Sequence, residues 1–275
     1  MSRMVKVRWT GAAGLEFTDE GKTILIDPYH SRAGKSEIFF GRMRPNAGRV
    51  KQYIGGLERD LSSVIIGHTH FDHALDIPEV AKYLTGPLIG SQSLAALMAL
   101  YDRGDSVTVC EKGERIELPG GAAVTMLPSR HGLVFFGRVP YRGDIDPDGG
   151  LPLKARVYRL GDIYIPKLEV GGTVFMHVGS ANFIESEMEG HRCDVLFMCV
   201  PGWNKVPEYC TRLLEIVGPK IIVPFHFDDF SLPIDSNGKV RGLPFRNITE
   251  FLRHVSKGAP HAEIRRVNPF EPMFF

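Results

Sequence analysis

The run His68-Thr69-His70-Phe71-Asp72-His73 places three imidazoles and one carboxylate within six residues. It directly follows Val64-Ile65-Ile66-Gly67, an apolar stretch that reads as a strand. Imidazole and carboxylate are preferred ligands of zinc and similar divalent metals. In a tight turn after a strand, His68 and His70 stand two residues apart, face the same way and can share one ion. Asp72 and His73 lie one step further on and can begin a second site. Chance gives such a pattern at a frequency on the order of one in a thousand, so a loop of surface histidines is the poorer account. Two more histidines occupy comparable places. His131 comes after the apolar run 124–127, and His226 ends the run Ile221-Ile222-Val223-Pro224-Phe225. A polar residue just past a buried strand is where α/β folds place their chemistry. Alone, each of the two reads as a structural histidine; beside the motif at 68–73, each becomes a candidate ligand.

The elements that must hold these residues follow from periodicity and turn residues. The first third reads as short strands over 5–9, 15–18 and 23–27, separated by Gly-rich or Asp-Glu-Gly turns. Asp76 and Pro78 start a helix with the apolar stripe Ile77, Val80, Ala81 and Leu84, and Gly86-Pro87 stops it. A strand over 88–90 leads to Ser91, which caps a helix carrying Leu94, Leu97, Met98 and Tyr101. Strands are expected over 106–109, 115–118, 122–127, 155–160 and 172–178. The last third alternates: strand 195–200, helix 205–217, strand 221–225 and a helix near 245–256. Pattern alone limits the fold to α/β or α+β, and the length suits one domain over 1–275.

Segments 29–60 and 137–154 read as loops over the site. The first carries seven Lys or Arg against three acids, and the second includes Arg138 and Arg142. Arg130 directly precedes His131. Guanidinium groups donate in a planar fork that suits phosphate and carboxylate, which points to a small anionic substrate. The alternative is a solvated basic loop.

Formal net charge is +1 over 275 residues, 43% of them hydrophobic, so no global field favours nucleic acid. No apolar run approaches the roughly 18 residues that span a bilayer, so no transmembrane segment is expected. Met1-Ser2-Arg3 runs straight into a strand-like segment without a leader signal. Cys110, Cys193, Cys199 and Cys210 show no Cys-x-x-Cys spacing and read as reduced, buried thiols of a cytoplasmic protein. The aromatic C-terminus, Asn268 to Phe275, packs on its own domain, covers part of the site or joins a homo-oligomer interface.

The chain resembles the metallo-β-lactamase superfamily of metal-dependent hydrolases. The resemblance runs from Val5-Lys6-Val7-Arg8-Trp9 and Gly21-Lys22-Thr23-Ile24-Leu25-Ile26-Asp27-Pro28 through HTHFDH and Ser129-Arg130-His131-Gly132 to Val223-Pro224-Phe225-His226-Phe227. In detail it looks most like the branch with L-ascorbate-6-phosphate lactonase and N-acyl-phosphatidylethanolamine phospholipase D-like enzymes. The resemblance implies a four-layer αββα sandwich of the α/β class. It implies a first metal on His68, His70 and His131 and a second on Asp72, His73 and His226. Asp27 matches an acidic position that supports such a site; read by the residues alone, it is equally a strand-end turn residue before Pro28.

One position departs from the superfamily. A Gly-Asp usually supplies a carboxylate that bridges both metals, whereas here Phe175-Met176-His177-Val178-Gly179-Ser180-Ala181-Asn182 puts Ser180 there. A neutral hydroxyl is a far weaker ligand, so the second ion should bind weakly or not at all. His177 and Glu185 are conceivable substitutes, but they read as a core histidine and a solvated helix residue.

The chemistry implied is hydrolysis of an ester, lactone or phosphoester by hydroxide supplied at zinc. Asp72 would orient the nucleophile or accept its proton, and Arg130 would stabilise the oxyanion. One or two zinc ions, or manganese or iron, would fit. The rivals are a mononuclear iron-dependent, dioxygenase-like oxidoreductase on the same fold and a non-catalytic metal-binding protein. Nucleic-acid processing relatives generally carry an added domain that this chain is too short to hold.

Overall fold

The computed structural model describes residues 4–234, 238, 240–243 and 248–275. Strands β1 (Lys6–Gly11), β2 (Gly14–Asp19), β3 (Lys22–Ile26), β4 (Asp60–Ile65), β5 (Leu88–Gly90) and β6 (Val107–Val109) pair in that order. Strands β7 (Arg115–Leu118), β8 (Ala122–Pro128), β9 (Tyr164–Val170), β10 (Thr173–Val178), β11 (Val195–Cys199), β12 (Ile221–Phe225) and β13 (Glu263–Ile264) form the second sheet, also in chain order. The C-terminal β14 (Pro272–Phe274) returns to pair antiparallel with β1 and completes the first sheet. Each sheet is mixed, antiparallel in its early hairpins and parallel later, as between β3, β4 and β5.

The helices are α1 (Lys35–Phe39), α2 (Ala47–Gly55), α3 (Phe71–Ala74), α4 (Ile77–Val80), α5 (Gln92–Ala99), α6 (Glu185–Met188), α7 (Tyr209–Val217) and α8 (Ile248–Gly258). Successive strand residues face opposite ways, and here both ways are buried. Ile24, Ile26 and Ile65 enter a core shared with Phe175 and Phe197 of the second sheet. Leu25, Val64 and Ile66 enter a separate core under Leu94, Leu97 and Met98 of α5. That is why the apolar runs Ile24-Leu25-Ile26 and Val64-Ile65-Ile66 are continuous rather than alternating. The result is an α/β sandwich of the metallo-β-lactamase type, two sheets face to face with helices outside. Among the described residues, no helix is long and apolar enough to cross a membrane.

Several local expectations are corrected. The run 155–160 is not a strand: Ala155–Val157 form one 3-10 turn, and the strand begins at Tyr164. The place beside β8 is filled by 164–170, with Pro166 opposite Met126, so 155–160 has no sheet partner. Tyr158 is instead buried in the outer core. The helix expected over 205–217 starts at Tyr209, after a 3-10 turn at Trp203–Lys205. Val206 is extended because it precedes Pro207, which disfavours the α conformation one residue earlier. Of the helix expected near 245–256, residues 245–247 lie outside the described ones.

The segment 29–60 is not a plain loop, since it holds α1 and α2. Arg32 is buried and ion-paired to Asp228 at 2.6 Å, and Lys35 reaches Asp229 at 3.2 Å. Part of its positive charge is therefore structural. At the C-terminus, Phe275 packs edge-on against Phe175, with ring centroids 5.5 Å apart. All four cysteines are free and buried.

Candidate metal centre

Polar residues gather where five strands end. Asp27 follows β3, His68 follows β4, His131 lies past β8, Ser180 past β10 and His226 directly after β12. Asp27 and His226 have φ of 46° and 60°, a left-handed conformation uncommon for residues other than glycine, though Asp and His adopt it more readily than most. The turn after β4 leads into α3, where His70 is the residue before the helix and Asp72 and His73 lie in its single turn. Phe71 anchors this turn between Tyr29 and Phe230, at ring-centroid distances of 6.3 and 5.9 Å.

The side chains converge in two groups. His68, His70 and His131 form one and Asp72, His73 and His226 the other, with ligand atoms in each within 4.8 Å of one another. Asp72 Oδ2 lies 3.6 Å from His226 Nε2 and 3.8 Å from His73 Nε2. Ligands on a shared tetrahedral ion at about 2.0–2.2 Å stand about 3.3–3.6 Å apart, so the second group is only slightly wide of such a cage. The groups are adjacent, with the His68 and His73 ring centroids 3.8 Å apart.

Hydrogen bonds select which ring nitrogens face inward. His70 Nε2 meets Pro140 O at 3.2 Å, His131 Nδ1 meets Gly132 O at 2.7 Å, and His73 Nδ1 meets Asp27 Oδ2 at 2.7 Å. A carbonyl or carboxylate accepts, so each of these nitrogens carries the proton and leaves the other with a free lone pair. The inward donors are therefore His70 Nδ1, His131 Nε2 and His73 Nε2. His68 Nε2 is buried without any partner. An orphaned buried nitrogen is unfavourable in a packed core, and a cation is what satisfies it. The donor set thus fits divalent metals.

Electrostatics agrees with neutral, metal-ready imidazoles at His68, His70, His131 and His226. Burial, with the neighbouring histidines, holds His68 well below its ordinary value. The same causes bring His70 to about 3. Burial takes His131 to about 4 against an opposing bond to Gly132. Burial also lowers His226. His73 is raised: burial works against its charge, but Asp27 and Asp72 outweigh it. Asp72 stays below the usual carboxylate value, because His73 and His226 outweigh its burial.

Asp27 is fully buried and accepts from Gly67 N at 2.7 Å as well as from His73. Two glycines make its space. A Cβ on Gly67 would come 3.2 Å from Asp27 Oδ2, and one on Gly179 would come 3.2 Å from the same atom and 2.8 Å from His177. His177 is buried, donates from Nε2 to Ala13 O at 2.7 Å and stands 3.9 Å from Asp27 Oδ2. It belongs to neither ligand group and backs Asp27 instead. Glu185 is paired with Arg212 at 2.5 Å on the surface. Arg130 is exposed on the chain just before His131.

The Ser180 hydroxyl accepts from Gly132 N at 2.9 Å, and Asn182 Nδ2 donates to His131 O at 3.1 Å. The segment after β10 thus clamps the loop that carries His131. Ser180→Ala leaves the Gly132 amide without this acceptor, at a cost of about 1–2 kcal/mol. For a domain of this size that lowers Tm by about 2–6 °C. The first metal should weaken with it, which thermal unfolding and chelator competition together would register. Unchanged values in both would mean that the clamp has no consequence.

Sequence reasoning missed the neighbours of His70. Pro140 carries its hydrogen-bond acceptor, and the Tyr141 ring stands edge-on to it at 6.1 Å with φ 43°. No local signal marks either residue, because the contact joins positions 70 apart in the chain.

A β-lactamase superfamily domain model matches residues 6–226, and the chain belongs to that superfamily. It is similar to a UPF0173 metal-dependent hydrolase of Anaeromyxobacter sp. (strain K), 28% identical over 281 residues covering 98% of this chain and 86% of the relative. A UPF0173 metal-dependent hydrolase of Archaeoglobus fulgidus is 25% identical over 240 residues, 83% of this chain and 85% of the relative. Among solved structures, Igni18, a metallo hydrolase from Ignicoccus hospitalis, superposes with a TM-score of 0.60 at 17% identity, covering 99% of this chain and 98% of its own. The fold is therefore shared well beyond detectable sequence similarity.

Proposed function

We propose that the chain is a metal-dependent hydrolase of a small anionic ester, lactone or phosphoester. We assign it to the branch that resembles L-ascorbate-6-phosphate lactonase and the N-acyl-phosphatidylethanolamine phospholipase D-like enzymes. The observation that carries the reading is the pair of adjacent three-residue groups, with the rings of His70, His131 and His73 oriented by hydrogen bonds. The names of the relatives, metal-dependent hydrolases, agree with it.

His68, His70 and His131 would hold one ion and Asp72, His73 and His226 the other. Imidazole and carboxylate suit zinc best, with manganese or iron as alternatives. When bound, such an ion supplies Lewis acidity and lowers the pKa of a water from about 15.7 to about 7. Asp72 stays ionised beside His73 and His226, so its free oxygen can orient the attacking water and hold its proton. Arg130 stands beside His131, where a guanidinium would receive the developing negative charge. Both ligand groups are complete without position 180. The hydroxyl there leaves one positive charge less compensated than a carboxylate would, which favours an anionic substrate and a weaker second ion. Four buried, free thiols fit a reducing, cytoplasmic setting.

A second reading is iron-dependent oxidation. The diiron β-hydroxylase CmlA of Streptomyces venezuelae superposes with a TM-score of 0.60 at 14% identity, covering all of this chain and 54% of its own, a likeness of fold alone. The same ligands accept Fe(II). Metal analysis of protein purified without chelator, with a lactone and phosphodiester screen, separates the two. One or two zinc ions and chelator-sensitive hydrolysis support the hydrolase. Iron with substrate-dependent oxygen uptake overturns it.

A further inference from the structure

The most exposed aromatic side chains lie on chain segments that also carry exposed arginines and are tied to the surroundings of the metal centre. Phe39 and Phe40 are 65% and 88% exposed, and Phe136 is wholly exposed. Phe39 and Phe40 adjoin each other at the end of α1, with ring centroids 6.3 Å apart. Their place is set by three anchors. Lys35, at the start of α1, is tied to Asp229, three residues past the ligand His226. Just after the phenylalanines, Arg42 donates to Pro152 O at 2.9 Å, and Met43 N donates to Leu153 O at 2.7 Å. That neighbouring segment begins at Pro140, the acceptor for the ligand His70. The segment 35–43 is therefore held at one end to the residues that follow His226 and at the other to residues 152 and 153. Phe136 follows the ligand His131 by five residues, with Arg138 two further on.

The surrounding charge selects the partner. Residues 35–51 carry Lys35, Arg42, Arg44, Arg49 and Lys51 against the single acid Glu37. Lys35 is paired with Asp229, whereas Arg42 and Arg49 donate to the backbone carbonyls of Pro152 and Ser31, and Arg49 also lies in the field of the buried Asp76. Arg44 and Lys51 are exposed. On the neighbouring segment the exposed Asp144, Asp146 and Asp148 offset the exposed Arg138, Arg142 and Lys154, so the net excess sits in 35–51. A second copy joined on this face by two-fold symmetry would set like charges against each other. A pocket for a substrate tail would be concave and already partly buried, whereas these rings project outward. Projecting aromatic rings among cationic side chains suit the interface of a bilayer, where rings sit at headgroup depth and cations meet anionic lipid.

We propose that the rim formed by Phe39, Phe40, Arg42 and Arg44, with Phe136, docks on an anionic lipid surface and turns the mouth of the metal centre toward it. This does not depend on which reaction the centre performs. The probe is a vesicle of phosphatidylglycerol and phosphatidylcholine, with pure phosphatidylcholine for comparison. The full chain should co-sediment with the anionic vesicles only, and added salt should release it. Phe39→Ser/Phe40→Ser should weaken binding by about tenfold or more, and Arg44→Glu should also weaken it, both with unchanged Tm. Because Trp9 and Trp203 are buried, Phe40→Trp provides a reporter whose emission should shift to the blue on anionic vesicles. Absence of co-sedimentation, or binding unaffected by Phe39→Ser/Phe40→Ser, overturns the proposal. So does a dimer that Phe39→Ser/Phe40→Ser dissociates, since the face would then be a self-interface. Tighter binding to a single-stranded oligonucleotide than to the vesicles, lost in the same variant, also overturns it.

Discussion

His70→Ala is expected to abolish activity and strip metal from the first ligand group while leaving the protein folded. His70 is one of three neutral donors there, and its Nδ1 is freed for the ion by the bond from Nε2 to Pro140 O. Structural zinc sites bind with about 10–16 kcal/mol over four ligands, or roughly 3–4 kcal/mol for each. Losing one ligand should weaken the ion by on the order of a hundredfold to a thousandfold, and hydrolysis should fall at least as far. The fold should survive, because His70 stands before α3 without capping it through its side chain. Metal content per chain, circular dichroism and steady-state turnover measured together decide the matter. A variant with full metal and the parental rate would show that the site is misassigned.

Asp27 is expected to give the second large effect, and two substitutions separate its roles. Asp27→Ala removes the acceptor for Gly67 N and the partner of His73 Nδ1 in a fully buried place. It also puts alanine at φ 46°, a conformation that costs a residue with a Cβ about 1–2 kcal/mol. Together these losses amount to about 3–5 kcal/mol, or a fall in Tm of about 8–15 °C. Asp27→Asn tolerates the positive φ, and its carbonyl can still accept from Gly67. Its amide, however, presents N–H groups to His73 Nδ1, which must then accept. The His73 proton moves to Nε2, the nitrogen that faces Asp72, and the second ligand group loses that lone pair. Partners of this kind are typically worth ten- to a hundredfold in metal affinity. Asp27→Asn should therefore keep most of its stability and lose the second ion by that factor. Chelator competition that finds the second ion bound within about twofold of the parent would remove Asp27 from the orienting role.

The ligand run at 68–73 was legible because its geometry is local. A strand, a turn and one turn of helix follow one another within fifteen residues, and their spacing alone brings His68, Asp72 and His73 to one end of a sheet. His131 and His226 were legible for a related reason, since apolar runs that must be buried end close to each. The identity of the Asp27 partner was not. Its carboxylate meets His73 across 46 positions, and only the parallel pairing of β3 with β4 makes them neighbours. Likewise, nothing local distinguishes Arg32 and Lys35, held by Asp228 and Asp229, from Arg44, which is exposed. A strand was expected over 155–160, yet the place beside β8 went to 164–170, because a strand forms only where a partner's hydrogen bonds are open. By itself, then, the sequence determined the ligand types, their local spacing and the apolar runs that carry them. The tertiary structure alone decided which ring nitrogens face inward and that Ser180 clamps the loop bearing His131. It also decided that Phe39 and Phe40 stand exposed side by side. Those outcomes depend on sheet order and loop closure, which bring together backbone carbonyls, amides and side chains far apart in the chain.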